Sequence, residues 1–150
     1  MKILLLHRTK DDPTGEFVKN LKDSLEKNGH EIDVVSRNED LNLSSLSGSM
    51  EGIKNFVRKK DEKENYDIIY TMDWSMAFPL LFPTKILFDK HYCLFHDFEK
   101  EGGAQSRIFQ KITGNLLGDH LLVKTEDLKK RFKKAIFSQD GLKVVDLEKN

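Results

Sequence analysis

Lys2 to Leu6 is an apolar run short enough for a buried parallel strand, and polar positions take over from His7 to Thr14. From Gly15 the period changes. Phe17, Val18, Leu21 and Leu25 recur every three to four residues, the spacing of one buried helical face. Asn28-Gly29 stops that helix, because glycine is free to take the left-handed conformation. Ile32, Val34 and Val35 return as a second strand. Strand, crossover helix and parallel strand make a right-handed unit. In open α/β sheets ligands sit outside the carboxyl ends of the strands, which here means the loop after the first strand.

Ser36 to Ser49, rich in Ser and Asn, reads as a rim loop. Ile53, Phe56 and Val57 share a face within Met50 to Lys63, which predicts a second helix. Tyr66 to Met72 is a third strand, and Asp73 at its end is placed to cap a short helix from Trp74. Pro79 and Pro83 limit that helix. Lys85 to Phe88 predicts a small strand, and Tyr92 to Phe95 a clearer one ending at His96-Asp97. Gln105 to Leu117 predicts a helix with Ile108, Phe109, Ile112 and Leu116 inward, followed by a strand from His120 to Lys124. Thr125 caps a helix from Glu126 to Phe137, with Leu128, Phe132, Ala135 and Ile136 inward and Lys129, Lys130, Arg131, Lys133 and Lys134 outward. Asp140-Gly141 is a turn, and Leu142 to Leu147 reads as a final strand. This alternation predicts a doubly wound, mostly parallel sheet in a three-layer α/β/α, Rossmann-like arrangement. A length of 150 residues suggests one domain, 1–150.

Charge narrows the functions. The 25 basic and 25 acidic residues cancel, so no global field favours nucleic acid. The single cysteine, Cys93, cannot form an internal disulfide and fits a reducing cytoplasm. The start carries no basic region followed by a cleavable apolar stretch, so the reading has no signal peptide. The longest apolar run, around Met76 to Phe88, is broken by Pro79, Pro83 and Lys85 and is too short to span a bilayer.

Candidate chemistry gathers at strand ends. His7, Arg8, Asp73, His96, Asp97 and Thr125 all fall there, along what would be one edge of the sheet. Asp73 is either a helix cap or a site residue, and Thr125 reads first as a cap. His96 is either satisfied by backbone or free to meet a sugar hydroxyl or a phosphate oxygen. Gly15 at a helix start would let backbone N–H groups approach a phosphate. Neither GxGxxG nor GxxxxGK[ST] is present, and the five histidines lack the spacing of a zinc site, so no metal ligand is assigned. A phosphoacceptor receiver domain would want acidic residues directly after the first strand, where His7-Arg8 stand. The basic face Lys129, Lys130, Arg131, Lys133 and Lys134 is a solvated surface or a weak peripheral contact with anionic lipid.

Four segments together resemble the amino-terminal half of a GT-B glycosyltransferase of the family-4, glycogen-synthase-like type. They are TGEFVKNLKDSLEKNGHEIDVVS, YDIIYTMDW, YCLFHD and GDHLLVKTEDLKKRFKK, and they cover nearly the whole chain in order. The chain departs from the family at Tyr70 and Met72, where the family carries histidines, and in having Gly15 alone where paired glycines are frequent. The resemblance implies a transferase half that acts only with a separate donor-binding half or in a homo-oligomer. A nucleotide sugar would be its co-substrate, with no bound cofactor, and a glycan or small molecule its acceptor. It implies His96 as the catalytic position beside the transferred sugar. It further implies Thr14, Gly15, Asp73, Trp74, Asp97 and Thr125 as substrate-binding positions. The alternative is a non-catalytic binding or regulatory module that keeps the fold without the chemistry.

Overall fold

The computed structural model describes residues 1–11, 13–41, 46–96 and 103–147. Strand β1 (Lys2–His7) alternates its side chains between two faces, and both faces are covered. Ile3 and Leu5 meet α1 (Thr14–Lys27), while Leu4 and Leu6 meet α2 (Leu46–Glu64). A strand buried on both faces needs apolar residues at every position, which is why the pattern shows a run and no alternation. Strand β2 (Glu31–Ser36) pairs with β1 in parallel, Ile3 opposite Ile32, and lies at the edge. On the other side of β1 lies β3 (Ile68–Met72), then β4 (His91–Phe95). The sheet closes with β5 (Leu121–Val123) and the two-residue β6 (Ile136–Phe137).

All six strands are parallel, in the order β2-β1-β3-β4-β5-β6. Helices cover both faces, so the fold is a doubly wound, Rossmann-like α/β sandwich. Helix α1 and a short α6 (Val144–Leu147) lie on one side. The other side carries α2, α3 (Trp74–Ala77), α4 (Gly103–Leu117) and α5 (Glu126–Arg131). The strand order reverses between β1 and β3, which places the crevice for ligands at the carboxyl edge beside β1.

Several expectations need correction. Residues Lys85 to Phe88 form no strand: Leu87 has φ +53°, a left-handed conformation, and opens a 3-10 turn at Phe88–Lys90. The predicted helix through Phe137 ends at Arg131, and Ile136–Phe137 take the sheet edge beside Leu122 and Val123. Leu142 to Leu147 is no strand either. Asp140 Oδ1 accepts from the Leu142 N–H at 3.0 Å, and the Tyr70 hydroxyl donates to the Gly141 carbonyl at 2.9 Å. That turn directs the chain into α6, which buries Val144 against the α1 face. The predicted rim loop to Ser49 gives way to α2 from Leu46.

In α4 the register of the buried face differs from the apolar pattern. Gln110, Thr113, Gly114 and Leu117 are buried, while Ile108 and Ile112 are 58% and 42% exposed. The cause is a close approach: a Cβ on Gly114 would stand 2.2 Å from Cε1 of Phe132. Only glycine fits there, so the small side of the helix faces inward. The Thr113 hydroxyl is satisfied by the Phe109 carbonyl at 2.6 Å.

Candidate functional site

Two strand ends and one helix start meet at the carboxyl edge of the sheet. His96 follows β4, Lys124-Thr125 follow β5, and Pro13 to Phe17 open α1. With Asn20 they line a cleft of about 470 Å³. Phe17 meets the His96 ring edge to face, centroids 4.7 Å apart, and Lys124 Nζ stands 3.9 Å from the centroid of the Phe17 ring. The geometry stacks a cation, an aromatic ring and an imidazole around one opening.

Each member is held by backbone or by a neighbour. Asp73 follows β3 and has φ +73°, a conformation rare for any residue but glycine. Its N–H donates to the Leu94 carbonyl at 2.9 Å, and its Oδ1 accepts from the His96 N–H at 3.4 Å. The carboxylate does not cap α3, contrary to expectation, but is turned toward the β4 end. Thr125 does cap α5, its Oγ1 accepting from the Leu128 N–H at 3.2 Å. The loop before α1 is tied to the end of β2. Thr9 Oγ1 donates to Glu39 Oε1 at 2.7 Å, and Lys10 Nζ to Asp40 Oδ1 at 3.0 Å. The Thr9 hydroxyl is the main reason the Glu39 carboxyl is held down to about 2. Gly15 lets this loop close on itself, since a Cβ there would lie 2.0 Å from the Lys10 carbonyl oxygen. Its N–H is engaged by the Asp11 carbonyl at 3.0 Å, so that donor serves the loop.

Burial sets the electrostatics. It pushes the His96 imidazole down to about 3, and the Lys124 charge adds to the effect. The ring is therefore neutral at physiological pH, suited to a hydrogen bond with a hydroxyl and unsuited to storing a proton. Lys124 is lowered by its own burial, against which the Asp73 carboxylate acts. Its ammonium is the positive charge that the cleft offers an anion.

Of the sequence-derived positions, Thr14, His96 and Thr125 line the cleft, Gly15 is not among the lining residues although both its neighbours are, and Asp73 reaches the cleft through the His96 backbone. Trp74 is not among the lining residues; it stacks on Phe109 of α4, centroids 5.4 Å apart. Asp97 lies outside the described residues. Five lining residues, Pro13, Glu16, Phe17, Asn20 and Lys124, are not among those positions. By pattern Lys124 is the last residue of a strand, although a lysine between a strand and a capping threonine falls at the ligand edge. By pattern Phe17 belongs to the core, and no signal in the helical period separates it from Val18. Among the described residues no three of His, Cys, Asp or Glu converge as a metal ion requires. No family model matches the chain, and no significant match was found among curated proteins.

Proposed function

We propose that this chain is the acceptor-side half of a GT-B-type glycosyltransferase, acting together with the donor-binding half of that fold. One observation carries the reading: segments of the resemblance that are far apart in the chain meet in one cleft. TGEF supplies Thr14, Glu16 and Phe17, YCLFH supplies His96, and VKTE supplies Lys124 and Thr125. In this reading Lys124 attracts the phosphate or another anionic group of a sugar ligand. The neutral His96 hydrogen-bonds a hydroxyl of the transferred sugar and orients it, and Thr14 and Thr125 flank the opening. The transfer step itself awaits the donor half.

The test is an NMR titration of the full labelled chain with UDP- and GDP-sugars, the free nucleotides and simple glycans. Saturable shifts are expected at Thr14 to Phe17, His96 and Lys124-Thr125. Lys124→Ala should weaken binding of the anionic ligands and leave neutral glycans unaffected. If no nucleotide sugar or glycan perturbs these residues, the reading is wrong.

A further inference from the structure

Helix α4 has a surface that the rest of the described residues leave exposed. From Gly103 to Leu117 it contains no Asp or Glu and two cations, Arg107 and Lys111. Ile108 and Ile112 lie one turn apart on the side opposite the buried Gln110, Thr113, Gly114 and Leu117. Beside them the half-buried Phe109 meets Phe78 edge-on at 5.5 Å, and Phe78 stacks on Phe82 at 5.2 Å. Phe82 is 51% exposed. An apolar ridge thus crosses from the end of α3 onto α4. Aromatic contacts join the exposed Phe82 to Phe109 of α4, which stands between the exposed Ile108 and Ile112 in the chain, so the three are more than scattered surface hydrophobes.

The flank of α4 opposite Phe109 is basic. Gly114, Asn115 and Gly118 share a shallow cavity of about 400 Å³ with Arg131, Lys133 and Lys134. Within a chain of zero formal charge, residues 103–137 hold eight Lys and Arg against three Asp and Glu. Of those cations Arg107 and Lys111 belong to α4 itself, and Arg131, Lys133 and Lys134 line the cavity beside it.

We propose that the α4 face docks on an anionic phospholipid bilayer. The isoleucines and Phe82 enter the boundary between headgroups and acyl chains, and Lys111, Arg131, Lys133 and Lys134 meet lipid phosphates. Apolar insertion and electrostatic attraction are the two contributions a peripheral surface requires, and neither alone holds a protein firmly. The charge selects lipid over a second copy of the chain, because two such faces laid together set cations against cations. The docking is by one face: no helix among the described residues is long and apolar enough to cross a membrane. Within the basic segment Lys129 takes no part, since its Nζ donates to the Lys133 carbonyl at 2.5 Å.

Co-sedimentation of the full chain with vesicles tests this. Binding is expected to phosphatidylcholine vesicles containing one third phosphatidylglycerol and not to phosphatidylcholine alone. Ile108→Ser/Ile112→Ser should lower partitioning on the order of tenfold or more while leaving the circular dichroism spectrum unchanged, as both side chains are exposed. Lys133→Glu/Lys134→Glu should lower it comparably and flatten its dependence on salt. Equal binding to neutral and anionic vesicles, or binding indifferent to the isoleucine substitutions, overturns the proposal. So does a dimer in solution that Ile108→Ser/Ile112→Ser converts to monomer, which would assign the face to a second copy.

Discussion

Helices α1 and α4 are nearly equal in length, 14 and 15 residues, and they use their apolar residues in opposite ways. Helix α1 lays Val18, Leu21 and Leu25 over Ile3, Leu5 and Ile68. Helix α4 turns Gln110, Thr113 and Gly114 inward and leaves two isoleucines in solvent. The difference lies in what each helix approaches. The strands under α1 present branched side chains at ordinary spacing, and large residues must fill the gap. Beside α4 the Phe132 ring comes so close that nothing larger than glycine fits at position 114. Apolar residues displaced outward in this way are available to a partner, whereas those of α1 are consumed by the fold.

The largest effect should come from breaking the α1 side. Leu25 is fully buried, and Leu25→Ala should destabilise the protein by about 2–5 kcal/mol through lost transfer energy and the cavity left behind. Ile112→Ala, at a position that looks equally apolar in the sequence, should change stability by no more than about 0.5 kcal/mol. Denaturant unfolding measures both. Comparable losses would mean that α4 is docked by its isoleucines after all.

Acid should act on both faces of the sheet, on α1 through His96 and on the opposite face through His91. His96 holds the Phe17 ring, and His91, buried at the other end of β4, shares a hydrogen bond with Thr71 Oγ1 at 2.9 Å. Burial lowers both histidines to about 3. The unfolded chain takes up protons below about 6.5 while the folded chain does not, so stability falls as pH drops from 6.5 toward 3. The slope should approach about 1.4 kcal/mol per pH unit for each histidine. The buried polar residues of α4, Gln110 and Thr113, do not titrate. His96→Asn should reduce the slope, with His91 and His7, also lowered by burial, keeping the rest, and hydrogen exchange at pH 5 should show α1 amides near Phe17 losing protection before those around Gly114. A stability profile flat from pH 7 to pH 4 would contradict the burial of both rings.

The contrast also explains what the sequence makes legible. The β1–α1–β2 unit is readable because every requirement there points the same way: apolar run, helical period, Gly29 at φ +88° to stop the helix. The convergence of His96 and Thr125 followed from strand ends sharing one edge. Lys124 carries the same strand-end signal, since it stands just ahead of the capping Thr125, whereas Phe17 does not, because by period it belongs with Val18, Leu21 and Leu25 on the buried face of α1. The second half fails where one contact outweighs local preference. The β-branched Ile136 reads as a helix interior residue until the chain turns at Phe132, and LKVVDL reads as a strand until the Asp140 turn directs it onto the α1 face.

Gly114 is where the comparison can be broken with the smallest change. Alanine is the better helix former by about 1 kcal/mol, so on propensity alone Gly114→Ala should stabilise an internal helical position. The structure argues the reverse sign. The added Cβ would meet three atoms of the Phe132 ring at under 3 Å, and that ring is itself buried and held edge-on to Phe95 at 5.5 Å. Displacing it should cost about 1–3 kcal/mol, enough to outweigh the propensity gain. In a Phe132→Leu background the obstruction is gone, and Gly114→Ala should become neutral or stabilising. The change of sign between the two backgrounds, read by thermal or denaturant unfolding, separates a steric cause from a conformational one. Were Gly114→Ala to stabilise the unmodified protein, close approach would not be what rotates α4, and the outward placement of Ile108 and Ile112 would need another origin.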